Sequence, residues 1–265
     1  MNATQTSSIA RGLEPGVALV TGGGQRIGRA ICDALAEEGW AIAIHYLRSS
    51  AEADELAEEI EARGGNATTI SADLAHDESA KNLITRASSE LGPVTCLINN
   101  ASVFEPDDVL TATADSWQRH LDINLRAPFF LTQSFALALE KGEPGCVINI
   151  LDERVWNLTP YFSSYTVSKM GLWTLTQTCA LALAPNIRVN AVGPGPTLPS
   201  PRQSSEHFSA QIASTPLGIG TTPVEIGSAV KFILESPAMT GQMIALDGGQ
   251  HLKWRRYPDD TDLVE

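Results

Sequence analysis

Short apolar runs alternate with amphipathic stretches from residue 17 almost to the end of the chain. Val17-Ala18-Leu19-Val20, Ala41-Ile42-Ala43-Ile44, Thr68-Thr69-Ile70, Val94-Thr95-Cys96-Leu97-Ile98, Cys146-Val147-Ile148-Asn149-Ile150, Ile187-Arg188-Val189-Asn190 and Met243-Ile244-Ala245-Leu246 read as seven strands. Helical segments lie between them. In Ala51 to Arg63, for example, Leu56 and Ile60 fall four apart on one face while Glu and Asp residues line the other. Strand, helix, strand repetition predicts an α/β fold: a doubly wound parallel sheet with helices on both faces. Such a sheet binds its ligand at the carboxyl ends of the strands, where strand order reverses. No internal repeat, low-complexity tract or long linker divides the chain, so one domain is expected over residues 15–252, with an N-terminal extension at 1–14 and a tail at 253–265. The segment Gly193 to Thr222, rich in proline and serine, reads as a mobile loop region over a site.

Composition narrows the class. With 265 residues, 43% of them hydrophobic, the chain can bury one large core. The 18 basic residues against 31 acidic give a formal charge of −13, which disfavours nucleic acid and anionic membrane as partners. Cys32, Cys96, Cys146 and Cys179 are widely spaced, without a Cys-x-x-Cys pair or metal-ligand spacing, so free thiols, no metal site and a reducing compartment are expected. Met1 to Gly12 is polar, and no run of about 18 apolar residues follows. A cytoplasmic enzyme acting on a small molecule fits these features.

The first strand runs into Thr21-Gly22-Gly23-Gly24-Gln25-Arg26-Ile27-Gly28 and then a helix. Glycines there let the backbone turn sharply and approach a pyrophosphate, whose charge is favoured by the free N–H groups at the helix start. This is the Rossmann-type arrangement. A P-loop would need Gly-Lys followed by Ser or Thr, and Gly28-Arg29-Ala30 supplies neither. An NAD-specific site would show Asp or Glu about 20 residues further on, at the end of the second strand. The chain has His45-Tyr46-Leu47-Arg48-Ser49 instead. A guanidinium and a hydroxyl suit a 2′-phosphate, so NADPH is the expected cofactor, held there by His45, Arg48 and Ser49.

Tyr165 and Lys169 are one helical turn apart and share a face, so the ammonium is expected to stabilise phenolate and lower the tyrosine pKa. With Asn99-Asn100-Ala101-Ser102, Asn124, Tyr165-Thr166-Val167-Ser168-Lys169 and Pro194-Gly195, the glycine turn resembles the short-chain dehydrogenase/reductase family over roughly residues 15 to 252. That resemblance implies a catalytic set of Asn124, Tyr165 and Lys169. Tyr165 is the acid, Lys169 also holds the nicotinamide ribose, and Asn124 supports a water-mediated proton relay. It places Gly22, Ile27, Gly28, Asn99, Ala101, Pro194 and Gly195 at the cofactor, and implies a homo-oligomer, commonly a tetramer. Asp73, followed by Leu74, matches the position that contacts adenine, although a helix N-cap explains Asp73 equally well. Arg26 departs from the pattern, which has glycine there.

Thr-Gly-x-x-x-Arg-x-Gly, the His-Tyr-x-Arg-Ser run and Asp152 in place of the family's serine look like the pteridine reductase branch, including the bacterial dihydromonapterin reductases. Asp247-Gly248-Gly249-Gln250-His251-Leu252 is similar to that bacterial branch too. A serine hydroxyl would donate to a ketone oxygen becoming an alkoxide, whereas an ionised Asp152 would repel it. A ring C=N whose nitrogen gains a proton is better served by a carboxyl hydrogen-bonded to a tyrosine. The resemblance puts Arg26 near both the cofactor phosphates and the pterin, with Ser102 and Phe104 as further substrate contacts and Phe104 stacking on the flat ring. The expected reaction is therefore NADPH-dependent reduction of a dihydropterin of the dihydromonapterin, dihydrobiopterin or dihydrofolate type. A carbonyl or 3-oxoacyl reductase is the alternative, and an NADPH-binding regulator without turnover a remote one.

Overall fold

A computed structural model describes residues 12–200 and 202–252. The expected tail at 253–265 lies outside the described residues, and of the expected extension only 12–14 are described. Seven parallel strands form one sheet: β1 (Val17–Val20), β2 (Ala41–Tyr46), β3 (Ala67–Ser71), β4 (Val94–Asn99), β5 (Gly145–Ile150), β6 (Ile187–Pro194) and β7 (Met243–Leu246), in the order β3-β2-β1-β4-β5-β6-β7. Each run read from the sequence is a strand. The order reverses between β1 and β4, which fixes the ligand crevice at their carboxyl ends.

Alternate residues of one strand face opposite layers, and both are apolar. Ala18 and Val20 pack with α1 (Arg26–Glu37), α2 (Ser50–Ala62) and α8 (Pro223–Glu235) through Ile31, Leu35, Leu56, Ile60, Val230 and Ile233. Val17 and Leu19 point the other way, toward Leu83 and Ile84 of α3 (Asp77–Leu91), Leu131 and Phe135 of α5 (Ala127–Ala138) and Ala180 of α6 (Ser163–Leu183). A strand buried on both faces cannot alternate apolar with polar, which is why these runs are continuous. Cys32, Cys96 and Cys146 are buried in this core as free thiols, and Cys179 is free and half-buried.

Two features depart from the expected outline. The Pro- and Ser-rich segment is not loop throughout: α7 (Ser205–Ala213) forms within it, started by Ser204 Oγ accepting from the His207 amide. Between α4 (Ala114–Leu121) and α5 the chain widens into a π-turn over Asp122–Arg126, which carries Asn124. Among the described residues no helix is long and apolar enough to cross a membrane.

Candidate active site

The turn after β1 is held from behind. The Gly22 amide donates to His45 Nδ1 at 3.1 Å, and His45 Nε2 lies 3.1 Å from the Ala72 carbonyl. His45 is only 2% exposed, so its ring braces the turn from inside the sheet and presents neither nitrogen to solvent. Thr21 Oγ1 accepts from the Asn100 and Ala101 amides, and Asn100 Nδ2 donates to the Thr21 and Gly22 carbonyls, stitching the end of β4 to the same turn. No side chain caps the start of α1, leaving its first amides facing the crevice. The uncapped amides of this cradle suit a diphosphate by charge.

Burial of His45 lowers its pKa from 6.5 to about 4. The unfolded chain therefore takes up a proton below pH 6.5 that the folded chain refuses until about pH 4. The neutral ring's contribution is complete above 6.5 and is lost as pH falls through that window, roughly 3 kcal/mol in all. Urea unfolding of wild type and His45→Gln at pH 7 and pH 4.5 checks this. The wild type should lose the extra stability on acidification, and equal slopes would remove His45 from the effect.

Arg26, where the family pattern has glycine, adopts φ +54°, the left-handed backbone glycine takes most readily. A side chain there costs about 1–2 kcal/mol. Arg26 Nη2 donates to the Leu198 and Pro199 carbonyls, so the strained residue ties the cofactor turn to the segment leading into α7.

Arg48 and Ser49 follow the end of β2, with Ser49 preceding the first turn of α2 and no carboxylate among residues 45–49. Asp73 does not cap α3, whose N-cap is His76. Instead it accepts from the Ala75 amide in its own turn. Leu74 is buried in the core, and the Asn99 side chain is turned onto Asn149 at 2.8 Å. Asn100, the next residue, lines the crevice.

Around the carboxyl ends of β4, β5 and β6 lies a cavity of about 600 Å³ that brings together Arg26, Ile27, Ser102, Phe104, Asp152, Tyr165, Lys169, Pro194 and Gly195. At its floor the Tyr165 hydroxyl donates to Asp152 Oδ2 at 2.9 Å. Asp152 also caps the 3-10 turn Glu153–Val155 by accepting from the Arg154 amide, so its capping and site positions are one geometry. Arg154 Nη1 lies 3.1 Å from both carboxylate oxygens. Phe104 stacks on Phe162 with ring centroids 4.4 Å apart and meets Tyr165 edge-on at 4.7 Å. Arg202, on the segment before α7, donates to the Phe104 carbonyl at 2.6 Å.

The expected lowering of the tyrosine pKa is overturned. Burial, and then the Asp152 charge, push Tyr165 well above its ordinary value. The near charge is Asp152. Lys169 Nζ donates to the Ile150 carbonyl at 2.8 Å and lies over the Tyr165 ring, 5.7 Å from its centroid. Burial lowers Lys169 itself to about 8. Glu153, 1% exposed beside Asp152, is raised to about 8 by burial first and the neighbouring charge second.

Asn124 is fully buried. It accepts from the Val103 amide and Ser102 Oγ, and donates to the Val103 carbonyl and Ser168 Oγ. Its side chain thus pins the loop bearing Ser102 and Phe104 to the helix bearing Tyr165. The residues that sequence reasoning missed are Asn100, Arg154, Phe162 and Arg202. Asn100 carried a signal, as part of the Asn99-Asn100-Ala101-Ser102 motif, and so did Arg154, a base two places after an acid at the end of a buried strand.

A strand-order switch point with an uncapped glycine turn on one side and a buried Tyr-Lys pair on the other defines a dinucleotide-dependent oxidoreductase. The chain belongs to the short-chain dehydrogenase family, whose model ("short chain dehydrogenase") matches residues 16–209. It is 46% identical to the FolM alternative dihydrofolate reductase 1 of Brucella canis, solved with NADP, at a TM-score of 0.90, covering 95% of this chain and 99% of that one. A blue fluorescent protein from a metagenomic library, solved with NADPH, is 32% identical at a TM-score of 0.83, covering 89% and 97%. A 3-oxoacyl-[acyl-carrier-protein] reductase of Synechocystis is 31% identical over 239 residues, 88% of this chain and 96% of that protein.

Proposed function

We propose that this protein reduces a dihydropterin to the tetrahydropterin with NADPH. The observation that carries the reading is the Tyr165 hydroxyl bonded to the Asp152 carboxylate at the floor of an aromatic-walled cavity. When bound, NADPH would supply the hydride for the carbon of a ring C=N and be oxidised to NADP⁺. Tyr165, held protonated, delivers its proton to the adjacent nitrogen, while Asp152 orients the hydroxyl and relays a replacement proton from solvent. Phe104 offers a flat wall to the heteroaromatic ring, and Ser102 and Arg26 supply polar contacts at its edge. Arg48 and Ser49 hold the 2′-phosphate, and Lys169 holds the nicotinamide ribose. The neighbours of known structure, named for dihydrofolate reduction and bound to NADP, support this reading.

The names of the curated relatives favour a second reading, reduction of a 3-oxoacyl thioester. Position 152 argues against it: both Asp152 oxygens accept hydrogen bonds, and no hydroxyl stands there to donate to a forming alkoxide. The enzyme is taken to work in the cytoplasm as a tetramer, in keeping with its family.

NADPH oxidation with dihydromonapterin, dihydrobiopterin, dihydrofolate, a ketone panel and a 3-oxoacyl thioester decides between the readings. Turnover confined to pterins is expected. Asp152→Asn should bind NADPH like wild type and lose more than about tenfold in pterin turnover. Full activity in that variant removes Asp152 from the mechanism, and thioester turnover with inert pterins would establish the second reading.

A further inference from the structure

We propose that Arg154 is a positioning residue for this site: one guanidinium fixes the Asp152 carboxylate toward Tyr165 and braces the Phe104–Phe162 wall. The inference rests on the reading that Asp152 and Tyr165 carry the proton step. It begins with the number of bonds that meet on one carboxylate. Asp152 Oδ1 accepts from the Arg154 amide at 2.9 Å and from Arg154 Nη1 at 3.1 Å, while Oδ2 accepts from the same Nη1 and from the Tyr165 hydroxyl. Backbone and side chain of a single residue therefore set the carboxylate plane, and the remaining lone pair meets the tyrosine. Without that grip the carboxylate could rotate about its terminal bond, which has a broad torsional preference.

The aromatic wall depends on the same group. The Arg154 guanidinium carbon lies 5.5 Å from the Phe104 centroid and 5.4 Å from that of Phe162, within cation–π range of both rings. Phe104 comes from the loop after β4, and Phe162 from the left-handed residue that opens α6. Arg154 joins these two segments to the end of β5. Its Nε is buried with no acceptor among the described residues. Among the described residues, the guanidinium's partners are Asp152 and the two rings.

An exposed ion pair would deserve no such role. Here both side chains are only 15% exposed, so little water competes. The charged and titratable groups facing Asp152 are Arg154 and Glu153 in its own turn and Tyr165 and Lys169 from α6, with Asp247 beyond, facing Glu153. Removing Arg154 leaves three carboxyl groups near one lysine. Asp152 then loses the cation bonded to both of its oxygens, and the like charges around it are left uncompensated.

The test compares wild type, Arg154→Lys, Arg154→Gln and Arg154→Met by pH profile. The limb belonging to Asp152 is the one missing from Asp152→Asn. In the two neutral variants that limb should move to higher pH by about one unit or more, with turnover reduced and NADPH affinity unchanged. Arg154→Lys should restore the limb, because it keeps the charge, yet retain a raised KM for the dihydropterin, because it lacks the planar fork. Carbon-13 NMR titration of the side-chain carboxyls, with Asp152→Asn assigning the resonance, reads the same shift without substrate. A titration unmoved in both neutral variants overturns the proposal, even if turnover falls, since packing alone would then account for the loss. A wild type inert toward dihydropterins overturns the functional reading instead, and the titration still judges Arg154.

Discussion

Tyr165→Phe should reduce dihydropterin turnover about a thousandfold, within the usual range for loss of a general acid, while NADPH affinity stays near that of wild type. The ring's packing survives the change: Phe104 meets it at 4.7 Å and Lys169 lies over its face, and neither contact uses the hydroxyl. What disappears is the proton held at Asp152 Oδ2. Because burial and the Asp152 charge push the phenol well above its ordinary value, Tyr165 is a proton holder across the physiological range. That suits reduction, where the site must give a proton. Single-turnover NADPH oxidation, with cofactor affinity measured separately by fluorescence, separates the chemical step from binding. A variant that keeps most of its rate would take Tyr165 out of the proton path and leave Asp152 relaying solvent protons without it.

The sheet was legible because its inner strands are covered on both faces. VALV at β1 and GCVINI at β5 are buried along their whole length, and such runs survive in sequence as unbroken apolar tracts bounded by helical periodicity. Helix α7 was not legible for the opposite reason. None of its residues is buried, so it has no apolar stripe to announce it, and its neighbourhood is rich in proline and serine. The π-turn at Asp122–Arg126 was hidden too, since it arises beside Asn124, whose bonds reach Val103 and Ser168 far along the chain.

Within the site, residues tied to local motifs were found, and those set by tertiary approach were not. The turn, the Tyr165-Lys169 pair and Asp152 announce themselves by spacing. Phe162 becomes part of the wall only because Phe104, distant in sequence, stacks on it. The error over the Tyr165 pKa has the same origin. Spacing placed Lys169 on the right face of α6 but could not show that its ammonium turns to the Ile150 carbonyl and that the carboxylate is the closer charge. Arg26 is the informative exception. Its departure from glycine was visible in the sequence, and the left-handed backbone found there gives the departure its physical meaning: a strained residue kept at the seam between cofactor turn and substrate cavity.

Gly28→Ala is expected to be the most damaging single-methyl change in the cofactor half. A Cβ on Gly28 would lie 2.1 Å from the Gly22 carbonyl oxygen and 2.7 Å from Asn100 Nδ2. Neither neighbour is free to retreat. Gly22 is held at φ +62° with its amide on His45, and Asn100 bonds the Thr21 and Gly22 carbonyls together. The helix start must therefore move away from the turn, and an ångström of displacement in a positioning element can cost about a hundredfold in rate. Overpacking should also cost about 1–3 kcal/mol of stability. Gly64→Ala is the control: Gly64 has φ +84° with open space around it, so alanine there strains the backbone by about 1 kcal/mol without touching the turn. NADPH titration and urea unfolding of both variants separate the two effects. Gly64→Ala should lose stability alone, and Gly28→Ala should lose stability and cofactor affinity together. Wild-type NADPH affinity in Gly28→Ala would mean that the turn after β1 is not where the pyrophosphate lies.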